Sequence, residues 1–285
     1  LGSGAARSIN DSGHVVGQSG NKAADYILDA GNNYFASSMG GTAATSINNN
    51  GQMVGYGPTQ ALIFKSTAIP YQYETVSLGY GIAFSNNNNN QIVGMGNGKA
   101  GVWNPDGSGE YASIGLGTLA GYSKSAAYSI NNSGKIVGSA SNSMGSDDSS
   151  PDIYRAVLFD ETGGSQNIYL GSLDGYTESS ANSINDSGQI VGAVWNLYFS
   201  QFAHATLFDP TGGGNNIDLN TVLINPLLGW TLTGAISINE NSCIVGFMKK
   251  SGVDDHAFLL TPVPEPATML FVALAIPFLL TKQRR

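Results

Sequence analysis

Charge is what this sequence has least of. Only 11% of its 285 residues are Asp, Glu, Lys or Arg, and the 12 basic residues are outnumbered by 20 acidic ones, for a net charge of −8. A nucleic-acid partner needs a basic footprint, so this composition excludes one. The single cysteine, Cys243, rules out an intrachain disulfide; it fills a repeat position that is Gln or Lys in most sister copies and reads as drift. No serine nucleophile elbow, His-x-x-x-His metal pair, cysteine pair or dinucleotide-type glycine pattern occurs. Of the three histidines, His14, His204 and His256, the last two occupy equivalent repeat positions held elsewhere by Lys, Gln and Arg. That pattern fits a structural polar site. Scarce charge does not mean disorder here, because 41% hydrophobic residues are enough to build a core.

What the chain has instead is 38 glycines and abundant Asn and Ser, the composition of many tight turns and short strands. One motif recurs six times: Ala-x-Ser-Ile-Asn, a turn, a hydrophobic pair and Gly. The copies run 6–17, 44–55, 83–94, 127–138, 181–192 and 235–246. Val-Gly closes all six, and Asn10, Asn48, Asn87, Asn131, Asn185 and Asn239 recur seven residues before that glycine. The third copy has Asn86 in place of Ile. Asn-Asp-Ser-Gly suits a type I turn closed by a left-handed glycine, with the Asn side chain bonding the backbone two residues on. Each unit is therefore predicted to be a β-hairpin whose Asn and Gly residues make turns.

Two further motifs follow each hairpin. One is a polar residue, Ala, two variable residues and usually an aromatic: Lys22 to Tyr26, Gln60 to Phe64, Lys99 to Trp103, Arg155 to Phe159, His204 to Phe208 and His256 to Leu260. These read as buried strands, with Asp25 breaking the pattern in the first. The other is a strand-like run ending in Leu-Gly, at 74–79, 111–117 and 166–171, degenerate at 215–220. Four short strands per unit of about 40 to 50 residues is the size of a propeller blade. The predicted fold is all-β: a β-propeller of about six four-stranded blades over 1–261. Leu1-Gly2 falls mid-repeat, so the chain is expected to be a fragment, and its N-terminal strand is expected to complete the last blade without an open edge. The competing architecture is a β-solenoid, against which the uneven repeat spacing argues.

The last residues, 262–285, are of another kind. Val263-Pro264-Glu265-Pro266 leads into fourteen uncharged residues, 267–280, and then Thr281-Lys282-Gln283-Arg284-Arg285. A spanning helix needs roughly 20 apolar residues; this run is short, contains Pro277, and is lengthened by snorkelling of Lys282. The basic end would stay cytoplasmic.

Two resemblances follow. The Pro264-Glu265-Pro266 entry, the apolar run and the basic cluster of Lys282, Arg284 and Arg285 closely resemble the PEP-CTERM sorting tail of exported Gram-negative proteins. That implies a transmembrane sorting helix held transiently in the inner membrane, removal by an exosortase, and release outside, in parallel with anchor signals whose tail is cleaved. The three repeat motifs, with His256-Ala257-Phe258 the fullest tripeptide, resemble the HAF-repeat family of extracellular proteins. The implied location is extracellular or cell-surface, with an N-terminal signal peptide expected upstream.

Candidate ligand residues lie in insertions, where repeat proteins place binding loops. Trp195, Tyr198, Phe199 and Phe202 form an aromatic insertion able to stack on sugars. Asp147, Asp148 and Asp152, and Asp254 with Asp255, are oxygen-rich loops of the kind Ca²⁺ favours, though without EF-hand spacing, and no cofactor is expected. The functional expectation is a non-enzymatic matrix protein that binds extracellular polysaccharide. The alternative is a propeller glycosidase or lyase, which would need paired acids at a central channel.

Overall fold

The computed structural model describes residues 4–28, 34–143, 152–196, 203–225 and 228–263. The chain folds as an all-β, six-bladed propeller. Five sheets have four antiparallel strands in sequence order, and the sixth has three. The blades span 4–40, 43–80, 82–117, 124–169, 178–218 and 231–260. The one helical turn among the described residues is a 3-10 turn at Leu219–Thr221. First strands of successive blades touch one another. A polar cavity of about 150 Å³ is lined by Asn10, Asn48, Asn87, Asn131, Asp186 and Glu240, one residue from each blade. A linear stack could not bring its first and sixth units to a common cavity, so the blades are arranged around an axis and the solenoid is excluded.

Each copy of the repeated motif forms a blade's first hairpin. In blade 4, Lys124–Ile130 pairs with Ile136–Ser143 around the turn at Asn131. The Gly134 N–H donates to the Asn131 carbonyl, and Gly134 has the left-handed φ of 82° that the turn demands. Asn90 and Ser242 take that conformation in blades 3 and 6. The closing Val-Gly glycine has a different role. It sits within the second strand, where a Cβ on Gly138 would fall 2.0 Å from the Ala126 carbonyl oxygen, with the same clash at Gly17, Gly55, Gly94, Gly192 and Gly246. All six hairpins shift register nearby, as between Ala127 and Ser129. This β-bulge turns the variable residue of Ala-x-Ser-Ile-Asn toward the next blade: the Thr45 hydroxyl donates to the Ala83 carbonyl and the Asn182 amide to the Ala235 carbonyl.

The motif asparagine joins the blades. Its Oδ1 accepts N–H donors of its own turn, as Asn131 does from Lys135 at 2.9 Å. Its Nδ2 donates to the carbonyl of the same asparagine one blade on: Asn10 to Asn48, Asn48 to Asn87, Asn87 to Asn131, Asn131 to Asn185 and Asn185 to Asn239, all between 2.7 and 3.2 Å. A second ladder runs beside it. The N–H of Asp11, Asn49, Asn88, Asn132 and Asp186 donates to the side-chain oxygen of the next blade's equivalent residue. The sequence reading of these asparagines as turn formers therefore holds but is half of their work. Asn86, in the place of the repeated Ile, donates to the Gln52 backbone and side chain, and its Oδ1 is buried without a partner among the described residues.

Apolar cores lie between blades. The leading face of each blade gives Val and Ala from its second and third strands. The trailing face of the next gives Ala, Ile and a large third-strand residue. At the junction of blades 4 and 5, Val137 and Ala156 meet Ala181, Ile184, Ile190 and Phe208. On the outer rim, Asp160 and Asp209 cap matched Gly-rich loops, whose Asn167 and Asn216 side chains donate to carbonyls of the preceding blade. The Thr211 hydroxyl and N–H hold the Asp209 carboxyl down at about 2.

The closing strand expected at Leu1-Gly2 lies outside the described residues. The first described strand, Gly4–Ile9, pairs with Val15–Ser19 as the inner strand of blade 1. No described strand covers the outer edge of His256–Leu260 in blade 6. No helix among the described residues is long and apolar enough to cross a membrane. Pro264, Glu265, Pro266, Lys282, Arg284 and Arg285 lie outside the described residues.

Asn131→Ala deletes the acceptor for Lys135 and the donor to Asn185. At about 1–3 kcal/mol for each buried group left unpaired, it should cost about 2–4 kcal/mol. Asn239, which is exposed, holds its turn but donates to no further blade among the described residues, so Asn239→Ala should cost less than about 1 kcal/mol. Shifts in the urea midpoint measure both; equal shifts would show that the inter-blade bond adds nothing.

Candidate functional site

The residues nominated from sequence fare differently. Trp195 is the last residue of the strand Ile190–Trp195, half-buried, opposite Glu178 in register. Tyr198, Phe199 and Phe202 lie outside the described residues, as do Asp147 and Asp148. Asp152 begins the strand Asp152–Phe159. Asp255 pairs with Lys249 across 3.5 Å at an exposed position, a contact of little energetic weight. No group of three His, Cys, Asp or Glu among the described residues is placed to hold a metal ion.

Trp195 lies at the junction of blades 4 and 5, on the face of blade 4 opposite to the Tyr122 and Tyr169 rings, which sit on its blade 3 side. Its ring lies 6.0 Å from Tyr154. Next to Tyr154, the Arg155 guanidinium lies 5.9 Å from the centroids of both the Tyr122 and Tyr169 rings, a cation–π arrangement. Two carbonyls, of Tyr154 and Thr177, accept from Arg155 Nη1 at 2.8 and 2.7 Å. The buried Glu178 carboxylate stands 3.5 Å from the same nitrogen and accepts the Tyr154 N–H. An arginine fixed by carbonyls and a buried carboxylate keeps its planar face available to rings. Trp195 and Tyr122 are half-buried, and Tyr169 is exposed. The Tyr122 and Tyr169 rings thus offer apolar faces beside the Arg155 cation, a surface suited to sugars. Only Trp195 was legible as a candidate; Arg155 looked like one more polar residue of the third-strand motif, and Glu178 had no repeat signature.

The axial cavity holds the acid pair that sequence reasoning did not nominate. Asp186 and Glu240 follow the motif asparagine in blades 5 and 6. Both carboxylates serve the ladder: Asp186 accepts the backbone and side-chain N–H groups of Asn132 at 2.7 Å each, and Glu240 accepts the Asp186 N–H at 2.9 Å.

A third cluster joins blades 1 and 2. Asp25, which broke the strand pattern, is buried and takes His14 Nε2 on one oxygen at 2.5 Å and the Tyr73 hydroxyl on the other. The hydrogen bond to Asp25 raises the His14 pKa above its ordinary 6.5, against the lowering effect of partial burial. Burial, then the bond to Asp25, pushes the Tyr73 phenol up. His204 pairs with Asp218 at 2.6 Å and lies against Tyr176, and His256 meets the Trp230 ring edge-on. These histidines are paired with neighbours rather than gathered at one site.

No protein-family model matches the chain, and a search of curated proteins returns no match.

Because His14 gains its proton more readily in the folded state, its contribution is fully present below the unfolded value near 6.5 and is lost as pH rises through the higher folded value. The melting temperature should therefore fall as pH rises past about 6.5, and His14→Gln should flatten that fall. An unchanged pH profile in the variant would show that the His14–Asp25 bond is not what titrates.

Proposed function

We propose that this chain is an exported, non-enzymatic protein that binds extracellular polysaccharide. Support for export comes from the sequence: its repeats resemble those of extracellular HAF proteins, and 263–285 resembles a PEP-CTERM tail cut by an exosortase in the inner membrane. The observation that carries the binding role is the ring cluster around Arg155. It is accessible, apolar on its faces and polar at its edges, and it needs no acid pair to hold a sugar. Few charges and a net negative surface suit a neutral or weakly charged glycan better than a polyanion.

The alternative, a propeller enzyme, rests on Asp186 and Glu240 at the axis. Their carboxylates already accept ladder hydrogen bonds, which favours the binding role. Should matrix glycans be depolymerised by the purified chain, and Asp186→Asn abolish it, the enzyme reading wins.

Tyr122→Ala with Tyr169→Ala removes the two ring faces beside Arg155. At about 0.5–1.5 kcal/mol each beyond their area, binding to host exopolysaccharide in affinity electrophoresis should weaken roughly tenfold, with an unchanged circular dichroism spectrum. Undiminished binding by the folded variant would move the site elsewhere. For export, the intact mass of protein released by its native host should lack the basic end; Arg285 still attached would sink the sorting reading.

A further inference from the structure

The third copy of the repeat departs from its sisters twice, and both departures fall at the junction of blades 2 and 3. Ile47, Ile130 and Ile184 fill one motif slot with apolar packing. Blade 3 has Asn86 there, 8% exposed and with its Oδ1 unpartnered among the described residues. The turn position held by Gly13, Gly51, Gly134 and Gly188 is Asn90, at a left-handed φ of 60° that glycine adopts more freely. Its side chain accepts the Asn48 Nδ2 of blade 2 at 2.9 Å. Breaks of local rules that cost stability are expected at functional sites.

Beside these residues a groove of about 620 Å³ opens between the first turn of blade 2 and the third-to-fourth-strand loop of blade 3, the size of a small-ligand site. Asn50, Gln52, Ser66, Asn90, Pro105 and Tyr111 line it, with one charge of each sign, Lys65 and Glu110. Asn86 stands one step behind this wall and orients it. Its Nδ2 donates to Gln52 Oε1 at 3.0 Å, which fixes the Gln52 amide, and Gln52 Nε2 donates to the Tyr111 hydroxyl at 2.5 Å. The Tyr111 oxygen is thereby an acceptor, so its own O–H is left to donate, and it meets no acceptor among the described residues. Burial pushes the Tyr111 phenol up, against the smaller lowering effect of the Gln52 bond, so it keeps that proton at neutral pH. Asn50 Oδ1, Asn90 Nδ2 and Ser66 Oγ also keep a capacity that no described residue uses, since the Asn50 amide nitrogen and the Asn90 oxygen are the atoms already bonded.

We propose that this groove holds a neutral oligosaccharide stretch, with the Tyr111 hydroxyl donating to a sugar oxygen and Asn86 and Gln52 as its positioning residues. Uncharged donors and acceptors beside the Tyr111 ring and Pro105 match the alternating hydroxyl and C–H surfaces of a sugar. The balanced charge of Lys65 and Glu110 gives no preference for a polyanion. This inference rests on the polysaccharide reading and adds a second site, at another junction from the Arg155 rings; two weak sites on one chain reinforce each other through avidity.

The test compares Tyr111→Phe, which keeps the ring and removes the O–H, with Asn86→Ile, which restores the repeat's residue and removes the buried unpartnered oxygen. In affinity electrophoresis against host exopolysaccharide, each should bind about fivefold more weakly than the unmodified chain. Asn86→Ile should at the same time raise the melting temperature, a split that a merely structural relay would not produce. In amide NMR spectra of the unmodified chain, oligosaccharides cut from that polysaccharide should shift the side-chain signals of Gln52 and Asn90 and leave that of Asn131 in place. Full binding by both variants, or shifts confined to the surroundings of Arg155, would overturn the proposal and leave the polysaccharide reading standing. So would binding that falls in both variants only as their melting temperatures fall. An unmodified chain that the polysaccharide does not retard at all would refute both.

Discussion

One side-chain amide at each of five junctions holds the blades in register. The motif asparagine uses its oxygen to shape its own turn and its nitrogen to grip the next blade's carbonyl. Because both ends bond to backbone, neither depends on what the neighbouring side chain is. That is why the repeats can differ so much elsewhere. The spacing between ladder asparagines grows from 38 to 54 residues along the chain, yet the bond recurs at nearly the same length. Extra chain length between blades costs little. In a chain so poor in charge, neutral amides do what ion pairs do elsewhere, without the desolvation cost of burying charge.

The glycine of Val-Gly sets the companion constraint. A carbonyl of the first strand passes where its Cβ would be, and the bulge beside it lends the hairpin extra twist. Twisted hairpins stacked by valine on one side and by alanine, isoleucine and an aromatic on the other give wedge-like contacts around an axis. Apolar burial drives the junction, and the amide ladder fixes its rotation.

Much of this was legible in the sequence, because a repeat reports its own tolerances. Six copies showed that Asn131 and its sisters could not vary, and that Tyr128 and its sisters could. Strand order, hairpin turns and blade size follow from such comparison. What stayed hidden is whatever links residues of different copies. Asn131 looks like a turn former because its second bond ends 54 residues away. Tyr73 reaches Asp25 from 48 residues away, and nothing local marks it. Of the two ring groups on blade 4, Trp195 stood out in an insertion, but Arg155 and Tyr169 were disguised as ordinary members of their motifs. Asp25 was the useful anomaly, a carboxylate in an apolar strand pattern, and it proved to be the centre of a hydrogen-bonded cluster.

The account stands or falls on the asparagine ladder being stable in solution. Amide hydrogen exchange on the native chain measures this residue by residue. The turn amides of Gln52, Gln91, Lys135 and Gln189 all donate to a ladder asparagine. They should exchange as slowly as the strand cores of Val54 and Val137, although they sit in turns. The matching amide of Cys243, whose asparagine grips no further blade among the described residues, should exchange faster. Uniformly fast exchange at all five turns would contradict the account, since the blades would then be held by their apolar faces alone.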